Sequence, residues 1–131
     1  MALVVLDATV VIAFLDQRDT HHNAAVAALE RVAGDELVLP ASAYAEMLVF
    51  PYRRGGRAAV ATAKALLEEL PIRVEPIGIE IAERAAELRA STPAVRLPEA
   101  LVIATADALD ASTLLTADRR WRKASRRVRT I

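Results

Sequence analysis

Residues 2–15 read ALVVLDATVVIAFL, and this stretch decides the fold because it joins a buried strand to a short apolar helix through a single acid. The Val- and Leu-rich run from Leu3 to Asp7 predicts a strand, and Thr9 to Leu15 continues as a helix. Asp7 is the only charged side chain in the stretch. An ionised carboxylate in apolar surroundings is unfavourable unless a cation or several hydrogen bonds compensate it.

The same pattern recurs three times along the chain. Glu46 lies within SAYAEMLVF, Glu99 within LPEALVIATA, and Asp118 closes STLLTAD. Four isolated acids in four separate apolar segments predict one metal site that the fold assembles. Their ligand atoms are all oxygen, a donor set that suits a hard ion such as Mg²⁺ or Mn²⁺.

Short apolar runs alternate with longer helical periods, which predicts a parallel sheet covered by helices on both faces. We expect one domain over residues 1–131, with helices between the strands and a break in the chain at Gly55-Gly56. Ser42 is expected to cap the helix that carries Glu46, and Pro98 to lie in the first turn of the helix that carries Glu99. The predicted strands are residues 3–7, 36–40, 73–76 and 112–116, with a possible edge strand at 128–131.

The four acids are expected to converge at one edge of the sheet. Asp7 and Asp118 each end a predicted strand, and ligands of open α/β sheets bind beyond the carboxyl ends of the strands. Glu99 lies in the first turn of a helix, and Glu46 about one turn into a helix that follows a strand. Carboxylates packed together repel one another, so a cation between them would stabilise the group.

The charge of the chain is balanced in sum and uneven in distribution. The 17 basic and 17 acidic residues cancel, but seven basic residues and no acid follow Asp118. The tail therefore carries +7 and residues 1–118 carry −7. This asymmetry points to a polyanion or to an acidic protein surface as a partner. The candidate contacts to such a polyanion are Arg119, Arg120, Arg122 and Lys123.

The composition also excludes several classes of site. Without cysteine the chain forms no disulfide and uses no thiolate, and it has no Cys-based zinc site. The N-terminal apolar run lacks the basic region of a signal peptide, and no run reaches the ~18 residues that a membrane span needs. We therefore expect a cytoplasmic protein without membrane contact.

Four segments together resemble the PIN-domain ribonucleases, in particular the VapC-type toxins of toxin–antitoxin pairs. These segments are VVLDATVVIAFL, LPASAYAEML, LPEALVIATADAL and LLTADRRW, and with their spacing they span essentially the whole chain. The resemblance implies a PIN-like α/β/α sandwich with a central, mostly parallel sheet of four to five strands. It also implies Mg²⁺- or Mn²⁺-dependent hydrolysis of RNA, a homodimer, and inhibition by a small cognate antitoxin.

The resemblance assigns roles to individual residues. Asp7, Glu46 and Asp118 match the first, second and fourth family acids, and Thr9 and Thr116 match hydroxyl positions near the metal site. Glu99 stands where the family usually has Asp, which keeps the charge but adds a methylene group. We expect Asp7, Glu99 and Asp118 to hold the ion, with Glu46 as a further ligand or as the group that orients the attacking water.

Each acid also has an ordinary structural interpretation. Asp7 could cap the following helix, Glu46 could lie on a solvated helix face, Glu99 suits any first helical turn, and Asp118 could belong to a turn. One alternative function is a catalytically weak PIN domain that binds RNA or protein, favoured by Glu99. Another is a phosphoacceptor domain of the receiver type, which fits poorly because Ala8, rather than a second acid, follows Asp7.

Overall fold

All 131 residues are described by the computed structural model, in which five strands form one fully parallel sheet. The elements in chain order are β1 (Leu3–Leu6), α1 (Ala8–Leu15), α2 (His22–Arg31), β2 (Glu36–Pro40), α3 (Ala41–Glu68), β3 (Ile72–Glu75), α4 (Ile79–Ser91), α5 (Leu97–Ala108), β4 (Thr113–Thr116), a 3₁₀ helix (Arg119–Lys123) and β5 (Val128–Thr130). The strand order is β3-β2-β1-β4-β5. The predicted class and number of strands are confirmed.

Helices cover both faces of this sheet. The chain steps outward from β1 to β2 and β3, and then crosses back to place β4 on the other side of β1. Because such crossovers are right-handed, the first steps put α1, α2 and α3 on one face, and the return puts α4 and α5 on the other. The result is the predicted three-layer α/β/α sandwich, with its reversal of strand order between β1 and β4.

The core lies between the sheet and its two helical layers. Thirty buried apolar residues form one continuous cluster, and Val5, Val38 and Leu114 in the three central strands are fully buried. Seven of the twelve residues of α5 are buried, four of them alanine or threonine. These small side chains allow α5 to pack closely on the sheet, and this explains the long apolar run that contains Glu99.

The longest helix, α3, differs from the sequence prediction at its start. It begins at Ala41 directly after the strand residue Pro40, and the Ser42 hydroxyl is buried without a hydrogen-bond partner. The predicted Ser42 cap is therefore wrong. The predicted break is confirmed, because the backbone leaves helical geometry at Gly56, where φ is 60° and ψ is −149°. None of the helices combines the length and apolar character needed to cross a membrane.

Candidate active site

Asp7 and Thr116 lie side by side at the carboxyl ends of β1 and β4. The backbone N–H of Asp7 donates to the carbonyl of Leu115 at 2.9 Å, which continues the pairing of the two strands by one residue. The Thr116 hydroxyl then donates to Asp7 Oδ2 at 2.9 Å, and both side chains are buried. The sheet thus places Asp7 at the point where strand order reverses, which is where open α/β sheets bind ligands.

Asp7 receives two further hydrogen bonds from the start of α1. The Thr9 hydroxyl donates to the same Oδ2 at 2.7 Å, and the Ala8 N–H donates to Oδ1 at 2.8 Å. Thr9 Oγ1 in turn accepts the N–H of Ala117 at 3.1 Å, so it links the ends of β1 and β4. A carboxylate has about four acceptor positions, and three donors leave one of them open on Oδ1. Asp7 therefore caps α1 and still has an oxygen available to a cation.

Burial has the largest effect on the pKa of Asp7. Desolvation raises the pKa of its carboxyl, and the hydrogen bonds from Thr9 and Thr116 oppose that rise without cancelling it. The ionised form is consequently disfavoured in the metal-free protein, and a cation next to Oδ1 would stabilise it.

Asp118 follows β4 and turns toward the 3₁₀ helix. Its N–H donates to Thr116 Oγ1 at 3.1 Å, which ties its backbone to the hydroxyl that also binds Asp7. Its carboxylate accepts the backbone N–H of Arg120 at 2.9 Å and the Arg120 guanidinium at 2.6 Å. The Arg120 side chain holds the pKa of Asp118 below its usual range.

Glu99 reaches the same edge because of the way α5 is tied to the sheet. The residues that follow α5 are bound to the start of β1, since the N–H of Ser112 donates to the carbonyl of Leu3 at 3.0 Å. The N-terminus of α5 therefore points toward the opposite, carboxyl edge. There Glu99 accepts the backbone N–H of Arg96 at 3.0 Å and its guanidinium at 3.2 Å, so it also caps the helix.

Glu46 lies on the exposed side of α3 and is coupled electrostatically to the other acids. Partial desolvation by the surrounding protein is the largest cause of the raised pKa of Glu46, followed by the negative charge of Asp7. The charge of Glu99 adds to the rise, and the positive charge of Arg96 opposes it. Glu46 thus lies near Asp7 and Glu99, while Asp118 is linked to Asp7 through the Thr116 hydroxyl.

These acids do not yet form a coordination shell. No group of three or more His, Cys, Asp or Glu side chains is close enough to hold one metal ion. Two of the acids instead form ion pairs with arginines: Glu99 accepts hydrogen bonds from Arg96, and Asp118 accepts them from Arg120. The two arginines supply the positive charge that a cation would otherwise supply. Sequence reasoning missed this function of Arg96, although its position three residues before Glu99 is a signal for a local ion pair.

The basic tail divides into paired and unpaired residues. Arg127 binds Asp107 at 3.1 Å and Asp110 at 3.2 Å, and its guanidinium also contacts the Ala111 carbonyl. Arg122 bonds Thr130. The candidate RNA contacts that form no ion pair are Arg119, Arg122 and Lys123, whereas Arg120 is held by Asp118. Trp121 is buried and packs in the core.

A comparison with known protein families identifies the domain. The family model described as "PIN domain" matches residues 4–127, nearly the whole chain. The chain belongs to the PIN domain family. The receiver-type alternative is therefore wrong. No curated protein sequence matches the chain significantly.

Several solved structures superpose well on the chain at low sequence identity. One is VapBC2 from Rickettsia felis bound to a promoter DNA fragment, with a TM-score of 0.80, 12% identity and 98% coverage of both chains. Another is VapC20 of Mycobacterium tuberculosis, a toxin that cleaves the sarcin–ricin loop, with a TM-score of 0.75 and 18% identity over 93% of this chain and 95% of that one. A toxin–antitoxin complex from Klebsiella pneumoniae gives 0.77 and 23%, covering 97% and 96%. At these identities the likeness establishes the shared fold.

Proposed function

We propose that this PIN domain is a metal-dependent endoribonuclease that acts as the toxin of a toxin–antitoxin pair. The single observation that carries the proposal is the placement of Asp7. It is buried between Thr9 and Thr116 where strand order reverses. Its negative charge raises the pKa of Glu46, and the charge of Glu99 does the same. Family membership supports a nuclease, and the basic residues after Asp118 supply a surface for a phosphate backbone.

The donor chemistry of the site fits Mg²⁺ or Mn²⁺. Every candidate ligand atom is a carboxylate oxygen, and one acceptor position of Asp7 is free of protein donors. Asp7, Glu99 and Asp118 would hold the ion, with Glu46 as a further ligand or as the group that orients the attacking water. When bound, such an ion polarises a phosphodiester, activates water and stabilises the charge that develops on the attacking and leaving oxygens.

The residues of the chain supply the remaining requirements of hydrolysis. Thr9 and Thr116 fix the orientation of the Asp7 carboxylate, and such supporting hydrogen bonds tune a ligand strongly. Glu46 is exposed beside the acids and has a raised pKa, so it can orient an attacking water and accept its proton. Attack in line on phosphorus would leave a 5′-phosphate and a 3′-hydroxyl without a covalent enzyme intermediate.

The test is an RNA cleavage assay on the purified chain with Mg²⁺, with Mn²⁺ and with excess EDTA. We expect cleavage in the presence of either ion and none with EDTA, and products that carry a 5′-phosphate. Cleavage at full rate in EDTA would contradict the metal-dependent mechanism. A matched Asp7→Asn preparation identifies any contaminating nuclease, since it should be inactive under all three conditions.

An antitoxin and a second copy of the chain are the proposed protein partners. An apolar groove of about 530 Å³ lies between α1 and α3, lined by residues such as Ile12, Met47, Phe50 and Leu66. Phe50 and Tyr52 are more than half exposed, which is unusual for large apolar side chains without a partner. Light scattering of the isolated chain tests the homodimer, and co-purification with the product of a neighbouring reading frame tests the antitoxin.

A second candidate function is a catalytically weak domain that binds RNA or protein. It is favoured by Glu99, which replaces the usual Asp and whose carboxylate is occupied by the backbone and side chain of Arg96. Titrations of wild type and Glu99→Asp with Mg²⁺ and Mn²⁺ separate the two. Weak cleavage by wild type that Glu99→Asp strongly increases would favour the binding function, and identical metal dependence would remove its basis.

A further inference from the structure

Arg120 places a positive charge directly against the Asp118 carboxylate. Its Nε lies 3.0 Å from Oδ1 and its Nη2 lies 2.6 Å from Oδ2, so the guanidinium grips both oxygens of the carboxylate. The backbone N–H of Arg120 adds a third donor to Oδ1 at 2.9 Å. Most of the acceptor capacity of Asp118 is therefore already used.

The same guanidinium also extends toward a second acid of the site. Arg120 Nη2 is 3.9 Å from Glu99 Oε1. One positive group thus lies between two of the proposed ligands, in the region where a divalent ion would have to bind both. A metal ion and this guanidinium would compete for the region, because their charges repel and both are attracted to the same oxygens.

We propose that Arg120 is a positioning residue that sets the affinity of the site for divalent ions by competing with them for Asp118. This inference rests on the proposed function, since the ion is the one inferred there. In the metal-free protein Arg120 neutralises Asp118, and binding of the ion requires the guanidinium to move away.

The surroundings of Arg120 allow that movement. Its side chain is 73% exposed, so leaving Asp118 returns it to water without opening the core. Beside it lies a hollow of about 400 Å³ lined by Thr9, Asp19, His21 and Arg119 among others. Asp19 places a second carboxylate in the wall of the same hollow.

The test is a calorimetric titration of Mn²⁺ into metal-free protein without RNA, comparing wild type with Arg120→Gln and Arg119→Gln. Arg119 is the matched control, because it neighbours Arg120 and carries the same charge but forms no ion pair. We expect Arg120→Gln to bind Mn²⁺ roughly fivefold more tightly, the upper end of what an exposed ion pair contributes. Arg119→Gln should change the affinity clearly less.

A third variant separates charge from geometry. Arg120→Lys keeps the charge but its ammonium cannot grip both oxygens of Asp118, so its affinity should fall between wild type and Arg120→Gln. Thermal melting of each metal-free variant verifies that it is folded. Equal or weaker Mn²⁺ binding by folded Arg120→Gln overturns the proposal, as does an equal gain in Arg119→Gln, which would show a general effect of net charge.

The two proposals fail in different ways. A protein that binds Mn²⁺ as described but cleaves no RNA contradicts the proposed nuclease and supports the competition by Arg120. A protein that cleaves RNA with Mn²⁺ while Arg120→Gln binds the ion no more tightly contradicts the competition alone.

Discussion

Asp7 combines a structural and a chemical task in one side chain. It caps α1 through Ala8, and it lies beside the last residue of β4, Thr116. Its hydrogen bonds do not compensate its burial, because its pKa remains raised. Ionisation of a carboxyl group that only caps a helix would stabilise the fold. Ionisation of Asp7 in the metal-free protein destabilises the fold instead.

The first prediction concerns the stability of Asp7→Asn. Since the folded protein raises the pKa of Asp7, ionisation opposes folding as pH increases from the ordinary carboxyl range through the raised pKa. Asp7→Asn removes that ionisation, so in EDTA its melting temperature should equal or exceed that of wild type at neutral pH. The difference should diminish in acid, where Asp7 is protonated.

Asp118 provides a control of opposite sign. Arg120 lowers its pKa, so its ionised form supports the fold above the ordinary carboxyl pKa, and that support is lost as pH falls through the lowered value. Asp118→Asn should therefore be only slightly less stable than wild type at neutral pH, because Arg120 is largely exposed and water screens the pair. A marked loss of stability in Asp7→Asn, larger than in Asp118→Asn, would contradict the account of Asp7.

The second prediction concerns Thr116, which supports Asp7 without being a proposed ligand. Thr116→Val keeps the shape of the side chain but removes a donor to Asp7 and an acceptor for Asp118. We expect metal-dependent RNA cleavage to fall roughly 10- to 100-fold, the usual effect of losing a hydrogen bond that supports a metal ligand. Thr105→Val is the control, since the Thr105 hydroxyl bonds only a carbonyl of its own helix. Equal cleavage by both variants would remove Thr116 from the site.

At the scale of elements, α3 depends on one glycine. Gly56 has φ of 60° and ψ of −149°, a conformation in which side chains with a Cβ are strained. Gly56→Ala should therefore lower the free energy of unfolding by about 1–3 kcal/mol, measured by urea denaturation. Gly34→Ala is the control, because Gly34 has no such φ and a Cβ there meets open space. Similar stability of the two variants would show that α3 bends without needing Gly56.

The elements could be predicted from the sequence wherever apolar periodicity decided them. The strand before Asp7, the break at Gly55-Gly56 and the final edge strand all follow from local composition and turn residues. Ser42 does not cap α3 because the helix already begins at Ala41. The last residue of the strand, Pro40, therefore occupies the N-cap position. Tertiary packing there overrode a local preference.

The convergence of the acids could also be predicted, but their present partners could not. The carboxyl ends of parallel strands meet at one edge of a sheet, and this rule predicts that Asp7 and Asp118 lie together. Arg120 forms an ion pair with Asp118, and Arg96 forms one with Glu99. These ion pairs depend on side-chain rotamers, which the spacing of residues along the sequence does not determine. The roles of the four acids as ligands stay a prediction.

For the whole molecule, the basic residues after Asp118 divide into those that form ion pairs within the fold and those that form none, a division that composition does not show. Arg127 joins the start of β5 to α5 through Asp107, which also binds Arg84 of α4. Lys123 forms no ion pair. The charge of +7 counted along the sequence therefore overstates the positive charge that is free of partners within the protein.

The last prediction separates these two groups of residues. Arg127→Gln should lower the free energy of unfolding by roughly 1.5–3 kcal/mol, since it removes hydrogen bonds between charged groups. Lys123→Gln should leave stability unchanged and weaken RNA binding, with a shallower dependence of affinity on salt by about one counterion. Binding is measured at several salt concentrations in EDTA, so that the RNA stays intact. An unchanged salt dependence in Lys123→Gln would place RNA elsewhere on the surface.

The central claim is that the fold gathers distant acids around one divalent ion. Anomalous X-ray scattering from a crystal soaked in Mn²⁺ tests this most directly. We predict a single manganese peak in contact with carboxylate oxygens of Asp7 and Asp118, with the Arg120 guanidinium turned away from Asp118. No peak at this edge of the sheet, or Asp118 still gripped by Arg120 at saturating Mn²⁺, would contradict it.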